Sequence, residues 1–266
     1  MADFKEVMGQ IGNSIVSAGK FVGRKTADGY HTIDPDVMRH LVQIPLLSYS
    51  LLVSRREKID PQKPDGHPPL IYVHGLGGNR GNFLLMSWYL HLIGRKRNYK
   101  IHFDSGQNVD DMAKALAQFV EDVKEVTGEE KVDIIAHSLG GLVARLSMVE
   151  FDVEKSVASL VTLGTPHKGT YPARYANTSI TRDLRPESDL IMRINAKPWP
   201  KEIRGISFWS RNDLFVLPAD SARVEGTTQI DMTPFTHYSY LLDPSSWAAV
   251  GKALMQDVKE KEAVTT

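Results

Sequence analysis

The chain has no cysteine among its 266 residues. Disulfide frameworks, thiolate zinc sites, iron–sulfur clusters and cysteine nucleophiles are excluded together. Neither sign of charge is in excess, with 32 Lys plus Arg against 32 Asp plus Glu. No global basic field exists to hold phosphates, so no nucleic-acid partner is expected. Long hydrophobic runs are also missing. The most apolar stretch, Leu41 to Val53, is broken by Gln43, Pro45 and two serines, and falls short of the ~20 residues of a membrane span. The opening Met-Ala-Asp-Phe-Lys-Glu carries both signs of charge, and Ile11 to Gly19 is interrupted by Asn13, Ser14 and Ser17. That is not the basic and apolar order of a signal peptide, and the expected location is cytoplasmic. Internal repeats and low-complexity tracts are absent. An apolar share of 42% with 24% charged residues describes a folding chain rather than a disordered one.

Residues 1–55 read as a helical extension. Phe4, Val7, Met8, Ile11, Ile15, Ala18 and Val22 recur mostly at spacings of three and four, which places them on one face. Because Lys and Arg are not gathered on the polar face, the favoured reading is a helix docked on its own domain or on a second copy. A helix lying on a lipid surface is the alternative. A proline-rich loop, Arg56 to Pro69, then leads into a catalytic-type domain over 56–266. There, short apolar runs alternate with helical patterns. Leu70–Val73, Tyr99–Phe103, Val132–Ala136, Val157–Leu163, Ile203–Trp209 and Thr228–Met232 read as strands. Met112–Val126, stopped by Gly128, and Leu142–Val149 read as helices. Such alternation predicts crossover units and a mainly parallel sheet flanked by helices.

Chemistry concentrates in Ala136-His137-Ser138-Leu139-Gly140-Gly141. It lies between a candidate strand and a helical pattern, the context of a nucleophile elbow. Small residues two before and two after the serine avoid clashes in so tight a turn. Ala136 stands where the strict pattern has glycine. The turn would lift Ser138 above the sheet edge and aim the Leu139 N–H at a developing oxyanion. A second glycine loop, His74-Gly75-Leu76-Gly77-Gly78, follows the first strand and offers the Leu76 N–H as the other donor. A phosphate-cradling loop would need a G-x-G-x-x-G or a following G-K-[ST], and neither is present.

A serine hydroxyl needs a base and an orienting acid. On a scaffold of this order the acid follows the serine and the histidine comes last. Asp213 lies just past the Ile203–Trp209 strand, with Asp220 and Asp231 as alternatives. His237 follows the last strand. Of the other histidines only His167 also follows Ser138, and it precedes any sensible acid.

With these residues in place the chain resembles the lipase branch of the α/β-hydrolase superfamily, in particular bacterial triacylglycerol lipases and esterases. Three stretches carry the resemblance: His74 to Gly78, Ala136 to Gly141, and Thr162-Leu163-Gly164-Thr165-Pro166-His167-Lys168-Gly169. One group of these lipases likewise has alanine as the first small residue of the elbow. Asp183 to Ser188 is similar to a segment near the lid of such enzymes. The resemblance spans about residues 68 to 245. It implies an α/β-hydrolase fold with Ser138 as nucleophile, Asp213 as acid, His237 as base and Leu76 and Leu139 as oxyanion donors. It implies ester hydrolysis with no metal and no cofactor. The stretch between Gly169 and Lys201, about 169–201, exceeds an ordinary strand-to-helix connection and is expected to form a small cap or lid. Candidate substrate contacts are His74, Gly75, His137, Tyr171 and Trp199. The expected partner is a lipid-like or small ester. Lipid-surface contact through the N-terminal helix or the cap, and assembly with a second copy, are left open. So are a thioesterase or amidase using the same groups and a non-catalytic interaction protein on this scaffold.

Overall fold

A computed structural model describes residues 59–104 and 106–264, with side chains as far as residue 255. The helical extension expected over residues 1–55 lies outside the described residues. Six short strands form one sheet: β1 (Leu70–Val73), β2 (Asn98–Lys100), β3 (Val132–His137), β4 (Val157–Leu163), β5 (Arg204–Trp209) and β6 (Thr228–Asp231). Their order across the sheet is β2-β1-β3-β4-β5-β6, with every pairing parallel. All-parallel strands need cover on both faces, which is why β1 and β3 are apolar almost throughout and fully buried.

The two faces nonetheless divide the side chains with a period of two. Ile71, Val73, Ile134, Ala136 and Leu160 join one core cluster with α2 (Val109–Thr127), α3 (Leu139–Glu150) and α5 (Asp189–Asn195). Leu70, Tyr72, Ile135, Val161, Ile206 and Phe208 join the other, with α1 (Leu84–Leu92), α6 (Ser239–Leu242) and the start of α7 (Pro244–Val264). The remaining helix, α4 (Ser179–Asp183), lies in the expected insertion. Among the described residues no helix is long and apolar enough to cross a membrane.

Two expected elements differ at their ends. The Tyr99–Phe103 run pairs with β1 as Asn98–Lys100; Ile101 N still donates to Tyr72 O at 3.2 Å, and the ladder stops there because β1 itself ends at Val73. The helix read from Met112 begins at Val109, since the Asn108 side chain caps it by accepting from Asp111 N at 2.8 Å. This earlier start adds Val109 to the buried face, which also holds Ala113 and Val120, while Phe119 sits at its margin.

Candidate active site

Parallel strands collect functional loops at their carboxyl ends, and four such loops meet here. The elbow follows β3. Ser138 has φ 54° and ψ −125°, a backbone region that residues with a side chain seldom enter. Its N–H donates to Leu163 O at 3.0 Å, and its carbonyl accepts from Gly141 N at 3.1 Å. The small neighbours are required by contact. A Cβ on Gly140 would strike the carbonyls of Val73 and His74, and one on Gly141 would strike the Thr165 side chain. Ala136 is tolerated because its methyl points into the core cluster shared with α2 and α3. The glycine loop after β1 presses on the same turn. A Cβ on Gly75 would lie 2.9 Å from Ser138 Cβ and 3.1 Å from His137 O. Leu139 opens α3, so its N–H is one of the helix's unshared N-terminal donors.

Asp213 and His237 come from the loops after β5 and β6. Asp213 is 1% exposed. Its carboxylate accepts from His237 Nδ1 at 2.8 Å through Oδ2 and 3.0 Å through Oδ1, and from Phe215 N at 3.0 Å. That leaves His237 Nε2 as the nitrogen to face a reacting group. The rings of His137, Phe215 and Tyr238 surround the imidazole, with centroids 4.6, 4.9 and 5.5 Å away. Asp220 and Asp231 do not reach it. Asp220 is exposed and pairs with Lys168 and Arg223, while Asp231 accepts from Thr233 N. Among the described hydrogen bonds none joins Ser138 to His237. Such contacts commonly tighten only when substrate arrives.

The sequence profile of the palmitoyl protein thioesterases matches residues 69–219, more than half of the chain. The chain belongs to that family. It is also 31% identical over 127 residues to triacylglycerol lipases of Pseudarthrobacter phenanthrenivorans and Burkholderia plantarii, a stretch covering 43% of this chain. The matched stretch is 38% and 34% of those two proteins, so this chain spans well under half of the curated relatives it matches. In structure it resembles Aspergillus fumigatus lipase B, with a TM-score of 0.61 and 16% identity over 71% of this chain and 52% of that one. The mature Bacillus licheniformis lipase BlEst2 gives 0.55 and 16% over 71% and 93%. This palmitoyl protein thioesterase family member therefore has the α/β-hydrolase fold, with triacylglycerol lipases among its relatives.

The remaining candidate residues divide. Tyr171, 53% exposed, stands beside the acid loop. Its N–H donates to Leu217 O at 2.9 Å, and the neighbouring Thr170 Oγ1 donates to Phe215 O at 2.8 Å. Trp199 is not brought to the site. It packs on Gly205 at the start of β5 and on Gly226 just ahead of β6, the opposite end of the strands, and donates from its indole to Ile203 O. Its size and apolarity served the core. His74 and His137, expected to touch substrate, are both buried. Nδ1 of His74 lies 3.0 Å from Gly75 O, and the ring packs against Phe103; burial holds its pKa down at about 4. His137 Nε2 lies 2.9 Å from His237 O.

His167 is a core residue. Its Nε2 meets Thr162 Oγ1 at 3.0 Å and its Nδ1 meets Arg145 at 3.4 Å. Burial and that guanidinium push its pKa well below the usual histidine range. Arg145 donates to Ile194 O and Asn195 Oδ1 at the carboxyl end of α5, so α3 is fastened to the insertion. The insertion is therefore of two kinds. Leu190, Ile191 and Ile194 of α5 are core, while Tyr171 and Tyr175 stay exposed.

Two residues at the site, Ser210 and Gly164, were given no role from the sequence. Ser210 Oγ donates to Phe235 O at 2.6 Å and ties the acid loop to the base loop. A serine in a turn carries no signal of that. Gly164 has φ +54°, and a Cβ there would lie 2.8 Å from Asp213 Oδ2 and 2.7 Å from the Tyr240 ring. A glycine directly after a buried strand was a legible sign of it.

Proposed function

We propose that this chain hydrolyses acyl esters through a covalent acyl-serine intermediate. The observation that carries the reading is a serine in a strained strand-to-helix turn beside a buried aspartate–histidine pair whose free nitrogen is Nε2. His237 Nε2 takes the Ser138 hydroxyl proton as Oγ attacks the carbonyl carbon. The resulting oxyanion is held by the N–H groups of Leu76 and Leu139. Collapse expels the alcohol, which receives the proton from His237. Water then attacks the acyl group with the same base, and the carboxylic acid leaves with Ser138 restored. Asp213 keeps the imidazole in the tautomer with hydrogen on Nδ1 and stabilises the imidazolium. The lipase relatives support an apolar acyl group, and the exposed Leu76, Tyr171 and Leu214 would border it.

A second reading is favoured by the family itself, whose description is palmitoyl protein thioesterase. The same attack would then expel a thiolate. Matched ester and thioester substrates with one acyl chain separate the two by their kcat/KM ratio. The common reading is tested by a fluorophosphonate probe. Stoichiometric labelling at Ser138 is expected, and a folded protein that resists the probe while hydrolysing no ester or thioester overturns it.

A further inference from the structure

We infer that His137 is a positioning residue for the proposed reaction, fixing the base His237 through a hydrogen bond to its backbone carbonyl. The inference rests on Ser138 and His237 being the reacting pair. Asp213 grips the imidazole at Nδ1 alone, and a ring gripped at one atom swings with the backbone that carries it. That backbone is a loop between β6 and α6 with no ladder of its own. Ser210 holds it at Phe235 O, and a local turn closes Ser239 N on Thr236 O. A further hold is His137 Nε2 on His237 O at 2.9 Å. It comes from the residue that directly precedes Ser138. One hydrogen bond thus references nucleophile and base to each other across a hundred residues of chain.

The chemistry of the bond is determined. A carbonyl only accepts, so Nε2 of His137 carries the hydrogen and Nδ1 holds a lone pair. Nδ1 faces the backbone of Gly75, where a Cβ would lie 3.2 Å away. A side chain at position 75 would therefore displace the ring as well as the serine. Burial, and then the neighbouring His237, keep the His137 pKa well below the ordinary histidine range. The ring stays neutral while His237, 4.6 Å away between centroids, gains its proton. The new imidazolium then faces a dipole rather than a second buried cation.

Replacement by Phe keeps the ring and removes the donor; replacement by Gln restores an amide N–H at a similar reach. We expect His137→Phe to lower kcat by at least about tenfold, toward the ~100-fold that an ångström of misplacement costs. KM should stay within about twofold, since no substrate contact is lost. The rate of fluorophosphonate labelling should fall in parallel. His137→Gln should recover most of both rates at an unfolding midpoint close to that of the Phe variant. Parental kcat in a folded Phe variant overturns the inference, as does a folded Gln variant that turns over no faster than Phe. Should Phe not fold, Gln decides alone: near-parental kcat supports the inference, and a folded but slow Gln variant overturns it. Ser138→Ala separates the two readings. If it keeps turnover, the reacting pair is wrong; if it is inactive while a folded Phe variant is fully active, only the role of His137 fails.

Discussion

Ser138 is held at a positive φ that costs a side-chain-bearing residue on the order of 1–3 kcal/mol. Glycine there escapes the strain and loses the hydroxyl. Ser138→Gly should therefore raise unfolding stability by ~1 kcal/mol in urea melts while ester turnover falls by several orders of magnitude. A variant that gained no stability would show that the turn is not strained as described. Asp213 makes a complementary case. Asp213→Asn keeps the volume but offers His237 Nδ1 an amide in place of a carboxylate, so the tautomer with hydrogen on Nδ1 is no longer enforced. Turnover should drop by roughly 10³- to 10⁴-fold with substrate binding retained. Gly164→Ala should act on the same pair from behind, because the methyl would press on Asp213 Oδ2 and Tyr240 at a positive φ. Steady-state kinetics beside thermal melts distinguish a displaced acid from a protein that has not folded.

At the scale of elements, the strands were legible as short apolar runs and the main helices as apolar residues repeating at about 3.6. The meeting of the Ser138, Asp213 and His237 loops was legible because parallel strands place the loops after β3, β5 and β6 on one edge. The insertion was legible only as a length. What decides its two halves is Arg145, a charged residue inside a helix that sequence patterning would assign to solvent. It is buried, and burial lowers its pKa to about 10. It has hydrogen bonds to Ile194 O, Asn195 and His167 in place of a carboxylate. Trp199 was misread for the converse reason. A large apolar residue in a loop looks like a ligand contact until its indole is seen donating to Ile203 O. Arg145→Met should cost about 2–4 kcal/mol by leaving buried acceptors unmet, with melts and kinetics declining together. The exposed half should govern acyl preference. Replacing Tyr171 by Ser is expected to flatten the rise of kcat/KM with acyl length, at up to ~0.8 kcal/mol per methylene no longer covered, with little effect on acetate.

For the whole molecule, three of the buried histidines contribute to the response to acid. His74, His137 and His167 each have a folded-state pKa below the ordinary value of 6.5, chiefly through burial. Such groups bind more protons unfolded than folded, so stability rises with pH wherever the two states differ. Their contribution is complete above about pH 6.5 and declines as pH falls toward the folded pKa values, by up to ~1.4 kcal/mol per pH unit for each group. Denaturant midpoints at pH 7.5, 6.0 and 5.0 should fall in that order. The double variant His74→Asn, His167→Asn should flatten the decline, and an unchanged slope would refute the assignment.

The hydrogen bonds of Thr170 have a consequence for anyone wishing to retarget the protein. Thr170 Oγ1 donates to Phe215 O and accepts from Leu217 N, and Tyr171 N reaches Leu217 O. The first residues of the insertion thus belong mechanically to the loop that carries Asp213. At the far end, Arg145 fastens the last turn of α5. Residues 172 to 188 lie between the first anchor and the start of α5, the helix that carries the second. A cassette transplanted from a relative should be spliced inside that window. A wider exchange would import a new specificity and detach the acid in the same step.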